Sequence, residues 1–182
     1  MKRIIFWLCC IMLIVVGCKP MKDLNNSPVK RTEEFFNKYQ TLDEEVNDDL
    51  YNVLANETTF NFEQRERYEK IMRKHYKNIV YDIKEDRVDG NNAIVTVEIT
   101  VTDYSKILND ASLKLNTRDE NFYENGEFSA QKYIDYILDK MEKADEKVKY
   151  TLDITLTKRD EMWTVDALTE TNEKKIHGAY MY

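Results

Sequence analysis

Apolar residues at 35, 36, 39, 42, 46, 50, 53 and 54 recur mostly in steps of three and four, which places them on one face of a helix. Ser27-Pro28 precedes this run as an N-cap and first helical residue, and Glu33 and Glu34 suit the positive end of the helix dipole. Thr41-Leu42-Asp43-Glu44 has the form of a capping box, so the run predicts two helices with a bend near Thr41. After the polar stretch 56–59, Asn61-Phe62-Glu63-Gln64 reads as another cap. Phe62, Tyr68, Ile71, Met72 and Tyr76 then mark a helix to about Lys77.

The period next changes from 3.6 to 2. Ile79, Tyr81 and Ile83 alternate with polar residues, Asp89-Gly90-Asn91 signals a turn, and Ala93, Val95, Val97, Ile99 and Val101 alternate again. These two runs predict a hairpin. Residues 105–126 have no clear period; Ile107, Leu108, Leu113 and Leu115 suit a short helix or a covering loop, closed by Asn125-Gly126. A structureless stretch of that length is uncommon inside a compact domain, so it is expected to pack on something. Ser129 caps a helix whose stripe is Ala130, Tyr133, Ile134, Ile137, Leu138, Met141 and Ala144. Val148, Tyr150, Leu152, Ile154 and Leu156 form a strand, 158–161 turns, and 162–165 gives the last strand. Asp166 or Thr169 starts a short helix through Lys175, and 177–182 reads as a frayed end. The fold class expected is α+β: an antiparallel sheet of about four strands, in two hairpins, packed against N-terminal helices and one central helix.

The start of the chain obeys a different pattern. Lys2 and Arg3 precede an unbroken apolar run over 4–16, thirteen residues long. A bilayer core needs about 20, so the run suits a secretory signal rather than a membrane span. It ends in Val15-Val16-Gly17-Cys18. This sequence resembles the lipobox of bacterial lipoproteins. The resemblance implies that Cys18 takes a diacylglycerol on its thiol and that a peptidase cuts before it. The chain then divides into a signal peptide over 1–17, a lipidated tether over 18–26 and one domain over 27–182. A buried CH₂ contributes about 0.8 kcal/mol, and two chains hold where one is marginal. The implied location is the extracytoplasmic face of the cell membrane.

Two features of the domain carry a second resemblance. One is the Ser27-Pro28-led amphipathic helix behind a tether; the other is the late Trp163-Thr164-Val165-Asp166 strand with a polar tail. Together with the element order, they resemble the cone-shaped nuclear-transport-factor-2-like and cystatin-like domains of small Gram-positive lipoproteins. A cone implies a sheet whose concave face either encloses a cavity or is filled.

Charge narrows the partners. The chain has 27 Lys+Arg against 34 Asp+Glu; without Lys2 and Arg3 the balance is 25 against 34, a net −9. Nucleic acid is therefore not an expected partner, since phosphate must be neutralised by basic residues. All three cysteines, Cys9, Cys10 and Cys18, precede the domain, so an exported domain would rely on an ordinary core rather than disulfides.

The residues available for chemistry are few. Beyond the signal there are three glycines (Gly90, Gly126, Gly178) and four serines (Ser27, Ser105, Ser112, Ser129), and none forms a phosphate loop or a nucleophile elbow. His75 and His177 stand about a hundred residues apart without zinc-site spacing, and both read as surface or tail residues. Asp43, Glu44, Glu45, Asp48 and Asp49 lack the spacing of a calcium loop and read as a solvated face. Asp135 and Asp139 form an i, i+4 carboxylate pair, read as solvent-facing with Lys143 nearby. Tyr81, Tyr104, Tyr133, Tyr136 and Tyr150 could line a cavity between helices and sheet, but read first as core and boundary residues.

The expectation is thus a non-enzymatic, membrane-anchored lipoprotein acting as a binding or interaction module of the cell envelope. It needs no cofactor or metal, has no catalytic residues, and attaches its lipid at Cys18. Its partners would be the membrane, through the anchor, and an envelope protein or a small apolar ligand. The alternatives are a ligand-binding lipoprotein with an apolar pocket lined by Val95, Val97, Ile99, Leu152 and Ile154, or an envelope enzyme on the same scaffold.

Overall fold

In a computed structural model of the protein the described residues are 26–181. The signal segment 1–17, Cys18 and the tether up to residue 25 lie outside the described residues, as does Tyr182. Among the described residues the architecture is α+β, with six helices, a four-stranded antiparallel sheet and a small two-stranded one.

Ser27 accepts from the Lys30 N–H at 3.1 Å and Pro28 takes the first position, so α1 runs Pro28–Thr41. The break comes at Leu42, which adopts the left-handed conformation (φ 52°) while the Asp43 N–H donates back to the Lys38 carbonyl at 3.0 Å. This reversal uses up Thr41, whose hydroxyl donates to the Asn37 carbonyl. Asp43 therefore caps α2 (Glu44–Asn56), two residues later than the Thr41 box expected. The Asn61–Gln64 capping box forms reciprocally and opens α3 (Phe62–Lys77).

β1 (Val80–Asp89) and β2 (Asn92–Thr102) form the expected hairpin, with a register shift between Ile83 and Glu85. The segment 105–126 contains α4 (Ser105–Asn116), a 3₁₀ turn (Glu120–Phe122) and β3 (Tyr123–Glu124), which pairs with β4 (Glu127–Phe128) across Asn125-Gly126. It packs through Ala111 and Phe122, both sealed from solvent. Phe122 sits between the rings of Tyr133 and Tyr136, 5.2 and 5.3 Å away. Ser129 caps α5 (Ala130–Lys143), whose buried residues are Ile134, Leu138 and Met141; Ile137 is half-buried at the edge of that stripe. β5 (Lys147–Arg159), β6 (Met162–Val165) and α6 (Glu170–Ile176), capped by Thr169, complete the chain.

The sheet order is β1-β2-β5-β6. On its inner face Val95, Val97, Ile99, Tyr150, Leu152, Ile154 and Leu156 are all buried, and each pairs with a strand neighbour of the same face. Phe36 of α1, fully buried, stacks on Tyr81 at 5.0 Å. The other face carries Thr96, Glu98, Lys149, Thr151 and Asp153, which remain in contact with water. The helices therefore fill the inner face, and the five strand residues expected to line an apolar pocket are core.

Through Tyr180 the tail does not fray. Ile176 is fully buried, the Tyr104 N–H donates to the Gly178 carbonyl at 2.8 Å, and the Tyr150 hydroxyl donates to the Tyr180 carbonyl at 3.1 Å. Gly178 has φ 68°, and a Cβ there would lie 2.0 Å from the Thr102 carbonyl oxygen. Only glycine allows the tail to come this close.

Candidate functional site

Two turns, 89–92 and 159–162, close one end of the sheet. At the other end the last turn of α3, the ends of β2 and α5, the start of β5 and the docked tail meet. About 34 Å separates the ends, from the length of β2 at roughly 3.4 Å per residue.

This second end is built on α3. Its inward stripe is Ile71, Met72, His75 and Tyr76, all buried, so His75 is a core residue and not the surface histidine expected. Its Nε2–H donates to the Ile176 carbonyl at 2.8 Å, which holds the tail. Its Nδ1 has no partner among the described residues. Burial pushes the imidazole pKa down to about 4, and His177 and Lys147 press in the same direction. His75 is therefore neutral near pH 7, with a bare lone pair sealed inside the protein.

His177, also expected at the surface, is half-buried. The Tyr76 hydroxyl and the His177 Nε2 share a hydrogen bond at 3.2 Å, and burial lowers the pKa of His177. The two histidines, a hundred residues apart in sequence, thus share the environment of Tyr76. Tyr104 packs its ring 5.1 Å from that of His75.

A cavity of about 460 Å³ opens beside this cluster. Ile71, Met141, Ala144 and Tyr104 give it apolar surface; Lys70, Lys74 and Lys147 supply charge around it, with Glu142 and Asp145 on one wall. Lys147 Nζ donates to Thr102 Oγ1 at 3.0 Å. Lys70 and Lys74 also edge a shallower groove of about 530 Å³ on the outer face of α3.

The other candidates fall elsewhere. Asp135 and Asp139 are not a free pair beside Lys143. Arg67 of α3 reaches Asp135 at 3.4 Å, Asp139 at 2.5 Å and Glu142 at 2.9 Å. Buried Gln64 adds a bond from Nε2 to Asp135 at 2.9 Å, so the pair is a clamp between α3 and α5. In the acidic run, Asp43 is a helix cap and Glu45 pairs with Lys38. The tyrosines are dispersed: Tyr81 lies on Phe36, Tyr133 and Tyr136 flank Phe122, and Tyr150 meets Tyr180. Of the five, only Tyr104 lines the cavity. Cys18, the residue expected to carry the lipid, lies outside the described residues. Sequence reasoning missed the histidine cluster, although His75 falls on the same helical stripe as Ile71, Met72 and Tyr76.

Comparison of the chain with models of known protein families, with curated proteins and with solved structures finds no match.

Proposed function

We propose that the protein is a non-enzymatic, lipid-anchored binding module on the extracytoplasmic face of the cell membrane. It would hang from Cys18 and present the cavity end to the envelope. The observation that carries the reading is where the domain begins. The Asn26 side chain donates to the Glu161 carbonyl at 2.6 Å and accepts from the Trp163 N–H at 3.1 Å. The tether therefore leaves from the β5–β6 turn, the end of the sheet opposite the cavity. Eight Cα-to-Cα steps lead from Cys18 to Asn26, a reach of at most about 29 Å at 3.6 Å per step. An acylated Cys18 would keep the turn end near the membrane and leave the cavity end free for a partner.

The test is metabolic labelling with a palmitate analogue. The expected result is a labelled chain in the membrane fraction, with label and maturation lost in Cys18→Ala. Label persisting on the alanine variant would sink the anchor. A second reading, a ligand-binding lipoprotein, is favoured by the cavity itself: about 460 Å³ falls within the usual 300–1,000 Å³ of small-molecule sites.

A further inference from the structure

The lining of the cavity departs from the charge of the chain around it. The chain carries a net −7, yet Lys70, Lys74 and Lys147 all line this one cavity. Among the described residues none of the three is in an ion pair; Lys147 Nζ donates to the Thr102 hydroxyl, and Lys70 acts on Glu142 only at longer range. Of the two acids in the lining, Glu142 is already paired with Arg67 at 2.9 Å. Asp145 is the other. Three lysines, exposed at the cavity rim and outside any ion pair, thus stand with Asp145, with Lys70 also close enough to act on Glu142, beside apolar surface from Ile71, Met141 and Tyr104.

We propose that this cavity binds a small carboxylate with an apolar body. The carboxylate would accept charge-assisted hydrogen bonds from the lysine ammonium groups, which are stronger than neutral ones. The apolar body would cover Ile71 and Met141. A compact dianion such as phosphate fits less well. The site has no arginine fork, Asp145 faces it, and α3 points its C-terminal, negative end toward it. An uncharged ligand would leave the lysines unused.

The proposal rests on the reading of this end as the binding face, but its test does not depend on anchoring. The full chain is purified in detergent with ¹³Cε1-labelled histidine, so that no lipid attachment is required. Its two histidines give two signals, assigned with His177→Gln. The probes are N-acetyl-leucine and benzoate, their uncharged counterparts N-acetyl-leucinamide and benzamide, and inorganic phosphate. The carboxylates are expected to shift the His75 signal saturably, with the amides at least tenfold weaker and phosphate without effect. Lys70→Ala and Lys74→Ala should each weaken carboxylate binding about tenfold, the loss of one charge-assisted contact, with Lys70→Arg retaining most of it. No saturable shift with either carboxylate overturns the proposal, as does equal binding of the amides, tighter binding of phosphate, or indifference to both alanine variants. Failure here with label still lost in Cys18→Ala would remove the ligand class and leave the anchored module standing; the converse would separate the two the other way.

Discussion

The two ends of the sheet are closed by opposite means. At the turn end the chain reverses over Asp89-Gly90-Asn91 and Asp160-Glu161, which stand in solvent and are tied by surface bonds, among them the Lys158 N–H to the Asn91 carbonyl and the Asn26 amide to that of Glu161. At the cavity end it is closed by a docked tail, a buried histidine and a glycine pressed on a backbone carbonyl. Both ends use positive φ. At the first the conformation is a local matter of turn chemistry; at the second it is a condition for tertiary contact. The two ends should therefore respond very differently to the same perturbation.

The largest difference expected is in pH dependence. His75 has an ordinary pKa of 6.5 when unfolded and about 4 when folded, lowered first by burial. Between those values the unfolded chain binds more protons, so the neutral histidine stabilises fully above pH 6.5 and the contribution is lost as pH falls toward 4. A shift of that size corresponds to about 3 kcal/mol. Groups facing the ring are His177 and Lys147, both of which discourage the proton, and Tyr76 and Tyr104, which are neutral here. Urea melts at pH 7.5 and 4 should show the loss in the native chain. His75→Asn keeps an N–H donor for the Ile176 carbonyl but cannot titrate, so its melts should depend less steeply on pH. Identical slopes for the two proteins would mean His75 is not sealed.

Paired glycine substitutions sharpen the contrast. Gly178→Ala places a Cβ 2.0 Å from the Thr102 carbonyl at φ 68°, so the tail must move, at a cost of about 2–3 kcal/mol. Gly90→Ala has φ 58° but open space around it, so only the conformational preference is lost, about 1 kcal/mol. Equal effects in thermal melts would show that the tail is not held by the close approach. The His75 signal should also shift in Gly178→Ala and stay in place in Gly90→Ala.

The same contrast explains what could be read from the sequence. Strands β2 and β5 were legible because their inward residues, Val95 to Ile99 and Tyr150 to Leu156, alternate against a polar outer face. α1 and α3 were legible from their caps, Ser27 and Asn61. α4 was obscure because its buried residue is Ala111, which carries little hydrophobic signal, while Leu113 points to solvent. The tail was misread because it docks through the carbonyls of Ile176, Gly178 and Tyr180, and backbone acceptors leave no trace in side-chain pattern. The Asp135–Asp139 pair does face solvent, but its partner Arg67 could not be read because it lies on a helix about 70 residues earlier. The cavity draws on α3, β2, α5 and β5 at once, so no local motif could announce it.

The smallest expected effect tests whether the turn end is as local as it looks. Asp160 and Glu161 have φ 47° and 64°, the pair of positive values that a two-residue turn between right-twisted strands requires. Asp tolerates this conformation through its short polar side chain, whereas Glu has no such device. Glu161 is 91 % exposed and its ion pair with Lys158 lies at the surface, where such pairs contribute little. Its backbone carbonyl, which accepts from Asn26, is kept by any substitution. Glu161→Gly should therefore stabilise the domain, by about 0.5–1 kcal/mol, with the relief of strain partly offset by the greater freedom of glycine in the unfolded chain. Denaturant melts would read the gain directly, and the two histidine signals should not move. A loss of stability would mean that the Glu161 side chain is held by contacts stronger than its exposure suggests. A shift at His75 would show that the turn end and the cavity end are coupled along the full length of the sheet.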